Sequence, residues 1–218
     1  MTSGALPKVK NLYNATTMYW RFKDEAKTIE IGNRFIVAPP WYNSEDRIKI
    51  TLTHGYAFGT GVHETTAECI SLLENLNVKG KSVLDVGTGT GILAIAASKL
   101  GASNVVAFDI NERAVKECIE NAALNKTDNI NCILASSPEF LKEQFDIVLA
   151  NIFYDIILKM SQKLAEVTRK GGYMILSGII PEENFTVKSR FSNLGFVCEK
   201  NIFGKEYTTM LLRRQDEY

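Results

Sequence analysis

Short apolar runs alternate with helix-period segments from about Lys81 onward. SVLDVGT (82–88), NVVAFDI (104–110), INCILAS (130–136), FDIVLANI (145–152) and YMILSGI (173–179) are brief and nearly continuous in apolar residues. That pattern belongs to strands buried on both faces. Between them GILAIAASKL (91–100), NERAVKECIENAALN (111–125) and DIILKMSQKLAEVTRK (155–170) repeat apolar positions at three- and four-residue steps, which predicts helices. The last is expected to stop at Gly171-Gly172. Strand and helix in strict alternation imply a parallel sheet wound on both faces. After a helical pattern over residues 181–194, ended by Gly195, FVCEKNIFGKE and YTTMLLRRQ follow with almost nothing between them. Two such runs can pair only as an antiparallel hairpin.

The first fifty residues differ in kind. TIEIGNRFIVAP (28–39) places Gly32-Asn33 between two alternating runs and so predicts a hairpin, after which Pro39-Pro40 stiffens the chain before IKITL (48–52). Residues 1–50 are therefore expected to form a small β extension, and residues 51–218 the main α/β domain.

Composition narrows the classes. A chain of 218 residues, 45% hydrophobic and 23% charged, supports one core. Twenty-five basic and twenty-five acidic side chains give a formal charge of zero, so the broad basic face that phosphate backbones require is not expected. Cys69, Cys118, Cys132 and Cys198 have no C-x-x-C spacing and sit in apolar segments, which predicts buried thiols, a reducing compartment and no zinc site. The N-terminus has no apolar signal core and no run is long enough to span a bilayer, so a cytoplasmic protein without membrane contact is expected.

The candidate chemistry begins at VLDVGTGTGILAIAA, where a buried strand ends at Val86 and a helix begins near Gly91. Gly87, Thr88, Gly89 and Gly91 form a turn whose backbone amides can approach a ligand at a helix N-terminus. The dehydrogenase fingerprint G-x-G-x-x-G would need a third glycine where Ile92 stands. Asp85, two residues before the first glycine, repels a pyrophosphate and suits a cofactor with a cationic amino-acid end, reached through water or a backbone amide. Asp109, at the tip of the second strand with Ile110 beside it, is placed to hydrogen-bond both hydroxyls of a ribose. Ser136 and Ser137, after the third strand, would lie near an adenine or be ordinary loop residues. S-adenosylmethionine has all of these parts, and its product would be S-adenosylhomocysteine; no metal is implied. Asp at a strand end can also be only a helix cap.

Upstream, AFGTGVHETT (57–66) precedes LDVGTGTGILAIAASKLGA, VVAFDINERAVKECIENAALN and ANI in that order. In this series, over about residues 18–180, the chain resembles the ribosomal protein L11 methyltransferase family and the related methyltransferases of protein lysines. The resemblance implies a Rossmann-like class I methyltransferase: α/β, a seven-stranded mostly parallel sheet with an antiparallel C-terminal hairpin and helices on both faces. It implies transfer of methyl groups from S-adenosylmethionine to amines, at lysine side chains and the N-terminus of a ribosomal protein. Thr66, Gly87, Asp109 and Asn151 match the family's cofactor-contacting positions, Phe58 matches the residue that closes over the cofactor, and Thr60 lies in the same motif. Family members usually begin with a ferredoxin-like substrate-recognition domain, which the chain as given does not carry, and the family's N-I-L reads Asn151-Ile152-Phe153 here.

Asn151 falls where the fourth strand should end, across from the cofactor's sulfonium. Its side-chain oxygen and the Ile152 carbonyl can accept the N–H groups of an amine and so orient its lone pair. Phe153 or Tyr154 would pack beside that amine or simply fill the core, and an asparagine at 151 is also placed to cap the next helix. Glu64 and Asp155 are weak candidates to assist as bases. His63-Glu64 lacks the second histidine of H-E-x-x-H, so His63 is expected to cap a helix running from about Glu64 to Leu76 rather than bind metal. The same chemistry on a small-molecule or RNA amine, and a non-catalytic S-adenosylmethionine-binding module, remain the alternatives.

Overall fold

The fold was obtained as a computed structural model, which describes residues 28–53 and 63–216. Successive side chains of the apolar runs separate onto the two faces of a seven-stranded sheet, as the pleat requires. In chain order its strands are β4 (Ser82–Val86), β5 (Asn104–Asp109), β6 (Ile130–Leu134), β7 (Phe145–Asn151), β8 (Thr168–Ile179), β9 (Phe196–Phe203) and β10 (Thr208–Arg214). Their order across the sheet is β6-β5-β4-β7-β8-β10-β9. Val83, Val105, Ile147, Ile175 and Leu211 face one buried cluster, under α1 (Glu64–Glu74), α2 (Ile92–Lys99) and α3 (Glu112–Leu124). Their neighbours Leu84, Val106, Val148, Leu176 and Leu212 face the other, under α4 (Tyr154–Val167) and α5 (Asn184–Ser192).

The parallel strands and the antiparallel hairpin agree with the sequence reading, with one topological detail it did not contain. The last strand, β10, enters between β8 and β9 and is antiparallel to both. The chain reverses its direction of progress across the sheet between β4 and β7, which both pair with parallel neighbours. The carboxyl ends of β4, β5 and β7 therefore open onto a crevice.

The extension is a three-stranded sheet of β1 (Ile29–Ile31), β2 (Phe35–Val37) and β3 (Ile48–Ile50). β1 and β2 form the expected hairpin, with Ile31 opposite Phe35 across Gly32-Asn33-Arg34. Glu74, the last residue of α1, accepts the Asn33 and Arg34 N–H groups at 2.8 Å each. Ile31, Phe35 and Ile50 share the core of α1 and α2. Two asparagines at the C-terminal end of α3 also hold this region. Asn125 accepts the Thr51 N–H at 3.0 Å and donates to the Thr51 carbonyl at 2.6 Å, while Asn121 accepts the Thr53 N–H at 2.7 Å and donates to the Thr90 carbonyl at 2.8 Å.

Two expectations need correction. The helix expected to run to residue 170 ends at Val167, because Thr168 is already extended and its hydroxyl donates to the Leu164 carbonyl at 2.7 Å. The Arg214 guanidinium takes the Ala165 and Thr168 carbonyls at that end. Pairing with β7 then jumps from Phe145–Thr168 to Ile147–Tyr173, so Gly171-Gly172 serve a bulge in β8 and not a helix stop. Of the thiols, Cys69 and Cys118 are buried, but Cys132 and Cys198 are half-buried, because β6 and β9 are the two edges of the sheet. Among the described residues no helix is long and apolar enough to cross a membrane.

Candidate functional site

The carboxyl ends of β4, β5 and β7 border a cavity of about 560 Å³. One wall is the glycine turn. The Gly87 and Thr88 N–H groups both donate to the Phe108 carbonyl, at 2.9 and 3.0 Å, which docks the turn on the end of β5. Gly87 has φ +68, and a Cβ there would meet the Ile152 Cγ2, so both conformation and space require glycine. Gly89 donates its N–H to Asp109 Oδ2 at 3.0 Å, and Asp109 Oδ1 accepts the Asn111 N–H at 2.9 Å. The cap of α3 is Asn111, whose side chain accepts the Arg113 N–H. Asp109 is thus held in place by the turn and presented to the cavity, with Gly87, Thr88, Gly89, Ile110 and Ser136 beside it.

Asp85 and Gly91 do not line the cavity. Asp85 is buried under the turn, where its Oδ2 accepts the Thr88 hydroxyl at 2.6 Å. Burial pushes its carboxyl up to about 6, while hydrogen bonds from Thr88 and the Ala94 amide pull the other way. Its influence reaches the cavity through Thr88. Gly91 stands at the N-cap of α2, against Cys118.

Beside the turn lies Asn151-Ile152-Phe153, because Val86 of β4 pairs with Ala150 of β7 and Ile152 packs against Gly87. Asn151 ends β7, and its Nδ2 donates to Thr66 Oγ1 at 3.4 Å; among the described residues its Oδ1 accepts no hydrogen bond. It does not cap α4, whose N-cap is Phe153. The Ile152 N–H donates to the Ser177 carbonyl at 3.2 Å. The Ile152 carbonyl lies where a Cβ on Gly178 would be, so glycine at 178, with φ +83, makes room for it. Phe153 borders the cavity and is 64% exposed, whereas Tyr154 packs on the core of α4.

Thr65 and Thr66, buried in the first turn of α1, also line the cavity, and His63 caps that helix by accepting the Thr65 N–H on Nδ1 at 3.3 Å. The His63 ring also lies 5.6 Å from that of Tyr207, centroid to centroid. Neither expected base borders the cavity. Glu64 accepts the Glu206 N–H at 2.9 Å, which holds its carboxyl below the usual range. Asp155 pairs with Lys159 at 3.1 Å, and that hydrogen bond lowers it likewise. Among the described residues no three His, Cys, Asp or Glu side chains are grouped to hold a metal. Phe58 and Thr60 lie outside the described residues.

Sequence reasoning missed Ile156, Met160, Gly178 and Tyr207, which all line the cavity. Stepping at helical spacing from Phe153 would have found Ile156 and Met160. Gly178 and Tyr207 carry no local signal, because their neighbours are supplied by β7 and by the insertion of β10.

Against known proteins, the model of the family described as "Ribosomal protein L11 methyltransferase (PrmA)" matches residues 15–215. A ribosomal protein L11 methyltransferase of Acetivibrio thermocellus is 41% identical over 198 residues, covering 89% of this chain and 63% of that protein. Its counterpart from Caldicellulosiruptor saccharolyticus is 42% identical over 182 residues, covering 82% of this chain and 60% of that protein. The chain thus spans less than two thirds of the length of these curated relatives. The crystal structure of a ribosomal protein L11 methylase from Lactobacillus delbrueckii subsp. bulgaricus superposes with a TM-score of 0.80 at 31% identity, covering 86% of this chain and 98% of that one. A match of this extent in sequence and in fold places the chain in the ribosomal protein L11 methyltransferase family.

Proposed function

We propose that the chain binds S-adenosylmethionine in this cavity and directs its methyl group to an amine nitrogen, at lysine side chains or the N-terminus of a ribosomal protein in the cytoplasm. The observation that carries this reading is the polarity of the cavity. Its glycine-turn side has Asp109 on the wall and Asp85 beneath, and the described lining contains no Lys or Arg. A pyrophosphate would meet carboxylates and no countercharge; a cation with a neutral ribose meets matching groups.

When bound, S-adenosylmethionine supplies an electrophilic methyl group on a sulfonium. The protein's part is to hold and orient. Asp109 accepts the ribose hydroxyls, Gly87 and Gly89 let the backbone approach, and Asp85 provides negative charge through Thr88. Ile110 and Ser136 flank the adenine end, and Thr66 supports the methionine end. Phe58 and Thr60 are assigned to the cofactor by the family motif alone. At the end of β7, Asn151 Oδ1 and the Ile152 carbonyl are two acceptors for an amine's N–H groups, which would leave its lone pair to face the methyl. Phe153 and Tyr207 offer aromatic surface to a long aliphatic or cationic side chain. We take residues 1–50 as an extension and residues 51–218 as the methyltransferase domain; of the extension, the described strands β1, β2 and β3 pack on the core of α1 and α2.

Calorimetric titration tests the cofactor directly: S-adenosylmethionine and S-adenosylhomocysteine should bind and NAD should not. NAD binding without either adenosyl compound would overturn the reading. The Ile152 carbonyl has its own test. Gly178→Ala should displace it and lower turnover by about 100-fold, with cofactor affinity nearly unchanged by the same titration. Full turnover in that variant would remove the carbonyl from the amine site.

A further inference from the structure

Cys118 on α3 and Cys132 on β6 bring their sulfurs to 2.6 Å. Nothing in the proposed methyl transfer uses either thiol. Cys118 is fully buried, and Cys132 is half-buried on an edge strand, so one sulfur can be approached from solvent and the other waits behind it. The hydrogen bond to Cys132, together with burial, pushes the Cys118 thiol up. The other two thiols have no such partner position. Cys198 is on β9, at the far edge of the sheet, and Cys69 is buried in α1.

The buried sulfur also touches the glycine turn. Cys118 Sγ is 3.8 Å from Thr88 Oγ1, the hydroxyl that donates to Asp85. It would lie 2.8 Å from a Cβ placed on Gly91. One sulfur therefore supports both the middle of the turn and the start of α2.

We propose that Cys118 and Cys132 are an oxidation site, closing to an intrachain disulfide when a peroxide reacts at Cys132, and that closure loosens the glycine turn. In the first step the Cys132 sulfur attacks a peroxide oxygen; the O–O bond breaks, a sulfenic acid forms and water leaves. Cys118 then attacks the Cys132 sulfur; the S–S bond forms, and the sulfenic hydroxyl departs as water with the Cys118 proton. Two thiols lose two electrons and one peroxide becomes two waters. A disulfide needs its sulfurs about 2.05 Å apart, so closure draws the Cys118 sulfur toward β6 and away from Thr88. In a reducing compartment such a bond is transient and reports oxidant.

The effect on the turn rests on the proposed cofactor site, and the chemistry of the thiols does not. The test treats the full chain with hydrogen peroxide, counts thiols after denaturation, maps the joined peptides by mass, and titrates S-adenosylmethionine before and after. Two of the four free thiols should disappear and the peptides of Cys118 and Cys132 should be joined. Affinity should fall by about threefold or more and return on addition of dithiothreitol. Cys132→Ser should bind cofactor normally and show no change with peroxide. Four remaining thiols, or Cys132 oxidised to a sulfinic acid beside a free Cys118, would overturn the oxidation site. A joined peptide with unchanged affinity would overturn its link to the turn. Reduced protein that binds no S-adenosylmethionine would count against the cofactor reading, while the thiol count would still judge the disulfide.

Discussion

Asn151→Ala is expected to lower turnover by about 100-fold or more, with the dissociation constant for S-adenosylmethionine changed less than about threefold. The asymmetry follows from where the side chain sits. It ends β7, the strand paired with β4, and its amide is tied to Thr66 through Nδ2, which leaves Oδ1 as an acceptor. An amine whose N–H groups are not held samples many orientations, few of them with the lone pair in line with the methyl–sulfur bond. Alanine removes that acceptor without touching Asp109 or the turn. Steady-state kinetics with a saturating amine, beside calorimetry, separates the two effects. Thr66→Val should reproduce part of the loss, roughly tenfold, since it frees the amide to rotate. Equal losses in affinity and turnover would make Asn151 a cofactor ligand and nothing more.

Asp85→Asn is expected to stabilise the fold above pH 6 while weakening the cofactor. Unfolded, the carboxyl titrates near its ordinary 3.8; folded, burial raises it to about 6. Between those values the folded state holds more protons than the unfolded one, so stability must fall as pH rises through the interval. The total loss is roughly 3 kcal/mol, about two units at about 1.4 kcal/mol each. Below about pH 3 the acid is neutral in both states and costs nothing of this kind. Asparagine keeps one acceptor for the Thr88 hydroxyl but not every hydrogen bond that Asp85 makes, so the net gain at pH 8 should be about 1–2 kcal/mol. The missing negative charge should weaken a cationic cofactor by about tenfold or more. Urea unfolding at pH 4, 6 and 8 checks the first claim. Wild type and variant with parallel profiles would show that Asp85 is not ionised at a cost within the fold. Both outcomes together would mark Asp85 as a residue that trades stability for ligand charge.

These two residues also show how far a linear reading goes. The spacing of Asp85, Gly87, Gly89 and Asp109 around two buried strands was legible, because a parallel sheet brings the ends of β4 and β5 side by side whatever else the chain does. Asp85's depth was not legible. Its burial depends on Thr88 folding back over it, a contact that spacing alone does not show. Asn151 and Ile152 could be placed at the end of β7, but the amide's orientation comes from Thr66, 85 residues away. The end of α4 was misjudged because two glycines are a strong helix stop in isolation, and here a threonine hydroxyl and the Arg214 guanidinium end the helix first. Tyr207 and the thiol pair were out of reach for one reason: each contact is made by the packing of elements that are separate in sequence.

Methyl transfer to protein can be measured directly. The full chain is incubated with methyl-labelled S-adenosylmethionine and with purified ribosomal protein L11, then the protein is hydrolysed to amino acids. Label is expected in N-methylated lysine or an N-methylated terminal residue, and is lost in Asn151→Ala although that variant still binds cofactor. Label in a carboxyl ester, or no protein-bound label from a chain that binds S-adenosylmethionine tightly, would contradict methyl transfer to an amine.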